Sequence, residues 1–280
     1  MTTSIESSPL YKTTAVLLGI AVLISFGAYG VYCSSNAVQN SGVDQKHRAL
    51  NATQALISNS WQRADLGAFL NEWGFQTGVE LGVQAGVFTA ETLTQWTTCS
   101  KFYLVDFWRS LTNYKDSANV NDQDHMTLMF AARIRMAQFE ERTKLYFFPM
   151  LTSDAADFIP SQIDFIYIDA RHDYCGASED IRVWWPKLRP GGVMAGHDYL
   201  TNAEMKALTP WQDWSVCANG TVNPGAVKQA VPDFAQRERL KIWVSSDQWP
   251  SWLVQKPMKR ALYNSKLGSK KYGFFSGEAK

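Results

Sequence analysis

The sequence predicts a doubly wound α/β fold built on a mostly parallel seven-stranded sheet, preceded by a single transmembrane helix. Three observations predict it. Apolar runs of strand length alternate with helical patterns from Ala55 to Pro257, glycines and acids stand where those runs end, and residues 13–33 are apolar and uncharged.

No residue from Thr13 to Val43 is charged, and Ala15 to Tyr32 is almost wholly apolar. A bilayer core of about 30 Å takes roughly 20 helical residues, more than the ~7–15 of most cleaved signals. The chain therefore divides into a tail (1–12), a single-pass membrane anchor (13–33), a stalk (34–54), a folded domain (55–257) and a basic tail (258–280). Lys12 on one side of the anchor and Lys46 and Arg48 on the other do not decide its orientation. The shortness of the leading tail favours a type II anchor, with the domain in the lumen of the secretory pathway (endoplasmic reticulum or Golgi). Asn51-Ala-Thr53 and Asn219-Gly-Thr221 fit the glycosylation pattern, at a frequency that chance also gives.

Within the domain, Thr77 to Leu81 is a short buried strand and Val87 to Trp96 has helical spacing. Phe102 to Asp106 is the second strand. From His125 to Glu141 the apolar residues Met126, Met129, Phe130, Ile134, Met136 and Phe139 recur near i, i+3, i+4 and predict one apolar helix face. Leu145 to Phe148 and Ile163 to Ile168 are the third and fourth strands. Ser178 to Leu188 is a helix stopped by Pro190-Gly-Gly192, and Val193 to Gly196 is the fifth strand. Leu200 to Asn223, with Trp211, Trp214 and Cys217, reads as irregular and as the stretch that chooses the substrate, Gly225 to Arg239 as a helix, and Leu240 to Ser245 with Ser251 to Gln255 as a closing hairpin.

Composition removes some classes of function. With 27 basic and 26 acidic residues the net charge is +1, so nothing suggests nucleic acid as a partner. The 11 Trp suit core packing, or an aromatic wall for a substrate. Four Cys without a CxxC argue against zinc. Cys33 belongs to the anchor; Cys99, Cys175 and Cys217 read as buried thiols, and a bridge among them would be Cys175 to Cys217.

Ligands of an open parallel sheet bind beyond the carboxyl ends of its strands. There stand Glu80 and Gly82, Asp106, Thr152 to Ala155, Asp169 to Tyr174, and His197 to Tyr199. His172 and His197 are two of only four histidines in the chain. Gly82 and Gly86 allow a tight turn from strand to helix, and a carboxylate at Asp106 can accept both hydroxyls of a ribose. No GxGxxG and no cation in this loop points to a pyrophosphate.

Gly78-Val-Glu-Leu-Gly-Val-Gln-Ala-Gly86, Leu104-Val-Asp-Phe-Trp108, Ile163-Asp-Phe-Ile-Tyr-Ile-Asp169, Trp184-Trp-Pro-Lys-Leu-Arg-Pro-Gly-Gly192 and Gly196-His-Asp-Tyr199 resemble the methyltransferase-domain 24 family of class I S-adenosylmethionine (SAM)-dependent methyltransferases. Gly225-Ala-Val-Lys-Gln-Ala-Val231 and Pro250-Ser-Trp-Leu-Val254 continue the likeness. It implies a Rossmann-like methyltransferase fold, with SAM held by Glu80, Gly82 and Gly86, the ribose on Asp106, the adenine near Ser153 and Asp154, and Asp169 also at the cofactor. The layout is similar to that of metal-assisted O-methyltransferases. Carried over by position, a divalent cation such as Mg2+ would sit on Asp169, His197 and Asp198, with His172 near the catalytic base. Relatives often carry Asp-Gly-Asp-His after the fourth strand; this chain has Asp169-Ala-Arg-His172, which puts a cation beside the site.

Two devices for removing the acceptor's proton stay open: a histidine base, His172 or His197, and a Mg2+ ion. Asp169 and Asp198 also suit helix caps, and either histidine a scaffold role. The acceptor expected is a sugar or glycan hydroxyl, or a small hydroxylated metabolite. Other readings are an NAD-dependent oxidoreductase, against which the missing GxGxxG counts, and a non-catalytic module that binds a nucleoside cofactor. Nothing in the sequence fixes the oligomeric state.

Overall fold

The computed structural model describes Leu56 and residues 60–258. The predicted anchor and stalk, the leading tail and all of the basic tail but Met258 lie outside the described residues. Among the described residues no helix is long and apolar enough to cross a membrane.

A 3-10 turn (Arg63–Asp65) leads into α1 (Leu66–Glu72), β1 (Thr77–Leu81), α2 (Val87–Gln95), β2 (Lys101–Asp106), α3 (Asp122–Met136) and β3 (Lys144–Pro149). There follow a one-turn α4 (Thr152–Ala155), β4 (Ile163–Ile168), α5 (Tyr174–Trp184), β5 (Leu188–Gly196), α6 (Asn202–Leu208), α7 (Ala226–Glu238), β6 (Trp243–Val244) and β7 (Trp252–Gln255). The seven strands stand in the order β3-β2-β1-β4-β5-β7-β6. The first five pair in parallel, whereas β7 pairs antiparallel with both β5 and β6, so the sheet is mixed. The strand order reverses between β1 and β4, the place where such sheets open a crevice for ligands.

Side chains alternate across the sheet, as a two-residue period requires. Phe102, Leu104, Phe165 and Tyr167 face α1, α2 and α3, in a core that includes Phe69, Leu70, Leu93 and Trp96. Tyr103, Val105, Ile166 and Ile168 face α5 and α7, against Ile181, Trp184, Val231 and Phe234. Trp61, Trp96, Trp184, Trp214 and Trp252 are fully buried, so most of the tryptophan load is packing.

Several elements depart from the sequence reading for identifiable reasons. Helix α5 begins four residues early, because the Asp173 side chain caps it by accepting the Gly176 N–H at 3.0 Å. Strand β5 takes in the Pro-Gly-Gly segment read as a stop. Its pairing with β4 jumps from Leu188 opposite Ile163 to Val193 opposite Phe165, so the glycines bulge out of the ladder. The closing hairpin forms, but β6 is only two residues long. The stretch after β5 is not irregular throughout: α6 occupies it behind a capping box of Thr201 and Glu204. The predicted apolar face of α3 is split. Ala132 and Met136 are buried, while Met126, Phe130 and Ile134 are 49%, 55% and 78% exposed. The helix docks where Ala132 meets Gly86, which turns its other apolar residues outward. Cys175 and Cys217 form a disulfide, so the free-thiol reading holds only for buried Cys99.

Candidate active site

Three strand ends meet at Gly82. Its N–H donates to the Val105 carbonyl at 2.8 Å, and the Asp169 N–H donates to the Leu81 carbonyl at 2.7 Å. Gly82 has φ +88°, and a Cβ there would lie 1.9 Å from the Asp169 carbonyl oxygen. Only glycine lets β1 and β4 approach this closely. Gly86 starts α2 in the left-handed region at φ +70° and stands behind the loop, against Ala132.

Asp106 fastens the same loop. Its Oδ2 accepts the N–H groups of Val83 and Gln84 at 2.9 and 2.8 Å, and its Oδ1 accepts that of Trp108 at 2.7 Å. A ribose on this carboxylate would use the lone pairs these bonds leave. Glu80 is 1% exposed and accepts the Thr89 hydroxyl proton. Burial pushes its carboxyl up to about 8, against the opposing pull of Thr89 and Arg63, so it is largely neutral at physiological pH.

Gly82, Asp106, Asp169, His172, His197 and Asp198, from the ends of β1, β2, β4 and β5, line one cavity of about 560 Å³, a size usual for small-ligand sites. Glu80 reaches its wall. Ser153 and Asp154 do not line it; in that segment the wall is made by Leu151 and Thr152.

At the β4–β5 side, His172 is 7% exposed. Its Nδ1 lies 3.0 Å from Asp116 Oδ2 and its Nε2 lies 3.4 Å from Asp169 Oδ1 and 3.1 Å from Asp198 Oδ2. Burial works against the imidazolium, but Asp198, Asp116 and Asp169 outweigh it and raise the His172 pKa well above the usual 6.5. For Asp169, burial is likewise outweighed, by His197, Arg63 and His172, which hold its carboxyl below the usual range. His197 stands on the rim, its Nδ1 3.0 Å from Asp198 Oδ1 and 3.8 Å from Asp169 Oδ1. Asp198 itself has a left-handed backbone, φ 55°, uncommon for a residue with a side chain and frequent where function imposes strain.

Asp169, His172 and Asp198 offer ligand atoms that all lie within 4.8 Å of one another. Asp198 Oδ1 is buried without a hydrogen-bond partner, as His197 is near but out of line. Two carboxylates, an imidazole and an orphaned acceptor suit a divalent cation. His172 stands in this cluster where sequence reasoning put His197.

Three site residues, Arg63, Tyr114 and Asp116, escaped the sequence reading, and a fourth, Trp214, stood in it only as part of the stretch expected to choose the substrate. Arg63 donates to Asp169 Oδ2 at 2.7 Å and to the Tyr167 hydroxyl at 2.8 Å, and lies 4.4 Å over the Phe88 ring. It, not Arg171, is the cation on Asp169, since Arg171 pairs with Asp173. Tyr114 and Asp116 come from the loop between β2 and α3. Trp214 comes from the loop after α6, its ring 4.6 Å from that of His172. No motif marks any of the four.

Residues 79–199 match the model of a family described as a methyltransferase domain. No curated protein matches the chain. Similar solved structures include an O-methyltransferase family protein from Burkholderia thailandensis, 14% identical with a TM-score of 0.49 over 78% of this chain and 59% of that one. An O-methyltransferase from Bacillus cereus in complex with SAH is 15% identical, with a TM-score of 0.46 over 78% of this chain and 94% of that one. An O-methyltransferase of tomaymycin synthesis from Streptomyces achromogenes, in complex with SAM, is 11% identical, with a TM-score of 0.46 over 78% and 91%. Likenesses this distant say nothing about the acceptor.

Proposed function

We propose, from the premise that residues 79–199 carry the pattern of a methyltransferase domain, that this chain is a SAM-dependent O-methyltransferase acting on a sugar hydroxyl or a small hydroxylated metabolite. One observation carries the reading: the Gly82 turn with Asp106, and His172 with Asp169 and Asp198, line the same cavity. Bound SAM supplies a methyl group on a sulfonium, which leaves as a neutral thioether when the acceptor oxygen attacks in line. The protein's part is alignment and removal of one proton. Gly82 and Asp106 shape the cofactor end. Nε2 of His172 is the atom placed to take the hydroxyl proton, and Asp169 and Asp198 favour the imidazolium that results.

A second device is favoured by the orphaned Asp198 oxygen. A divalent cation held by Asp169, His172 and Asp198 would polarise the acceptor hydroxyl and lower its pKa.

Calorimetry with SAM tests the cofactor end. Asp106→Ala should weaken binding at least tenfold, and an unchanged isotherm would reject that end of the site. Turnover in chelator separates the two devices: full activity leaves the histidine base, and loss restored by Mg2+ assigns the cation.

We also propose that residues 13–33 anchor the chain and that the domain faces the oxidising lumen of the secretory pathway. The Cys175–Cys217 bridge supports the compartment. Asn219 and Thr221 of the acceptor pattern are exposed on a turn two residues past Cys217. In eukaryotic cells the full chain should lose mass on N-glycosidase treatment, and Asn219→Gln should abolish most of that shift. A cytosolic domain would show no shift and, alkylated after unfolding without reductant, two thiols more than the lumenal form, those of Cys175 and Cys217.

A further inference from the structure

The loop between β2 and α3 is sewn to the loop after α6. Lys115 and Asp213 form an antiparallel bridge, with the Asp213 N–H donating to the Lys115 carbonyl at 2.9 Å. The Ser117 N–H donates to Gln212 Oε1 at 3.1 Å. Between these stitches sits Asp116, 6% exposed and at no strand end. Its Oδ1 accepts the Ala118 N–H at 2.7 Å, and its Oδ2 accepts the Trp214 Nε1–H at 2.6 Å while facing His172 Nδ1 at 3.0 Å. The loop that brings Trp214 is anchored twice. The Trp214 N–H donates to Asn202 Oδ1 at 2.8 Å, and three residues on Cys217 is bonded to Cys175, which lies three residues after His172.

We infer that Asp116, fixed from behind by Trp214, is the positioning residue of His172. Its carboxylate accepts the Nδ1–H hydrogen bond and so turns Nε2 toward Asp169, Asp198 and the cavity.

Tyr114 completes the arrangement. Its hydroxyl oxygen accepts the His172 backbone N–H at 3.0 Å and also lies 3.0 Å from His172 Nδ1, so Nδ1 faces both this hydroxyl and the Asp116 carboxylate, and the hydroxyl lies 3.4 Å from Asp116 Oδ2 and 3.5 Å from the Ala170 carbonyl. When the ring loses a proton, the Asp116 carboxylate, which can only accept, keeps the remaining one on Nδ1, and the ring cannot flip without losing that bond and its contact with Trp214. An imidazole oriented by a buried carboxylate on one nitrogen and presenting the other to a reacting group is a positioned proton acceptor or ligand. The cysteine bridge makes the orientation depend on a covalent tie, since it joins the segment after His172 to the loop that carries Trp214.

The inference rests on the reading of His172 as the group that handles the acceptor proton, and its test has an arm that does not need that reading. In the full wild-type chain, at a pH alkaline enough for the ring to be neutral, 15N-detected imidazole NMR should find the one remaining His172 proton on Nδ1 and hydrogen-bonded. A proton on Nε2 alone would overturn the inference whatever the protein's activity. In the kinetic arm, Asp116→Asn should lower kcat about 10- to 100-fold, with the KM for the acceptor and the Kd for SAM within twofold of wild type. Trp214→Phe, which removes the indole donor and leaves a smaller aromatic ring beside His172, should give a smaller loss of the same kind. An unchanged kcat in Asp116→Asn, or a loss confined to KM, would contradict a positioning role. If Asp116→Asn does not fold, Trp214→Phe and the tautomer measurement decide. Absence of methyl transfer in every variant and in wild type, with Nδ1 protonated, would sink the enzymatic reading and leave the Asp116–His172 pairing intact.

Discussion

Gly82→Ala is expected to cost more than about 4 kcal/mol of folding stability and to abolish SAM binding. Two penalties add. The backbone at φ +88° is one that a residue with a Cβ adopts at a cost of roughly 1–2 kcal/mol. The new methyl would also stand 1.9 Å from the Asp169 carbonyl oxygen, which is backbone and cannot rotate away. Relief requires β1 and β4 to separate, yet they are held there by the hydrogen bond from Asp169 N–H to the Leu81 carbonyl. Overpacking in a well-packed interior costs typically about 1–3 kcal/mol, and a backbone clash belongs at or beyond the top of that range. Set against a total of roughly 5–15 kcal/mol, the sum leaves a marginal domain. Gly220 is the control: its φ is +83° but a methyl group there would meet nothing within 4 Å, so Gly220→Ala should show the conformational penalty alone. Urea denaturation and SAM titration of both variants make the comparison. A Gly82→Ala protein that unfolds with wild type and still binds SAM would mean that the strand ends relax freely and the loop is not the cofactor's seat.

What was legible in the sequence is what depends on local order. A strand ending in Glu80-Leu81, a glycine turn and an amphipathic helix need only neighbouring residues to be read, and β1, β2, β4 and the parallel layout came from such patterns. The strand-end rule then placed Asp106, Asp169, His172, His197 and Asp198 on one rim, because topology alone sends those positions to the same edge. Arg63 was hidden because nothing near it in sequence needs it. It reaches Asp169 from a distant segment held by a contact equally distant in sequence, its own N–H donating to Asp247 Oδ2, at 2.7 Å, in the turn before β7. Asp116, and its pairing with Trp214, were hidden for the same reason: the two residues stand 98 apart in sequence. The Cys175–Cys217 pairing has a separation of 42 residues and no spacing signature, so the sequence could name it as the bridge to expect among these cysteines but still favour free thiols, and the meeting of those loops decides for the bridge. Helix α6 carries a local signal too, since Thr201 and Glu204 are spaced as a capping box.

The same loops explain why the acceptor side has its own character. Gly82 and Asp106 are tied to backbone within their own β-α-β unit, whereas His172 is held by groups from four separate segments: Asp116, Asp169, Asp198 and Trp214. Damage to His172 is therefore expected to leave the cofactor end intact.

His172→Asn should on that ground lower kcat by about 10²–10⁴, the usual worth of a positioned acid–base group, while SAM binds as before. The variant should also be less stable, by an amount that depends on pH. The His172 pKa is raised in the folded state, so the stability its imidazolium contributes is fully present below its unfolded value near 6.5 and is lost as the pH rises through the folded value. Its partners Asp116 and Asp169 have lowered values, so their share is present above about 3.8, the ordinary value, and lost as the pH falls through the folded ones. Between roughly 4 and 6.5 both conditions hold, and removing one member of a buried charged group there should cost on the order of 3–5 kcal/mol. At more alkaline pH the wild type sheds its imidazolium and the two proteins should converge. Catalysis runs the other way: a base must first lose its proton, so wild-type turnover should climb with pH through and above neutrality, and the residual rate of His172→Asn should lack that rise. Denaturation at pH 5.5 and pH 9.5, with initial rates over the same range, measures both. Turnover within tenfold of wild type, or a stability gap that widens in alkali, would take the proton away from His172 and leave His197 as the base at this rim.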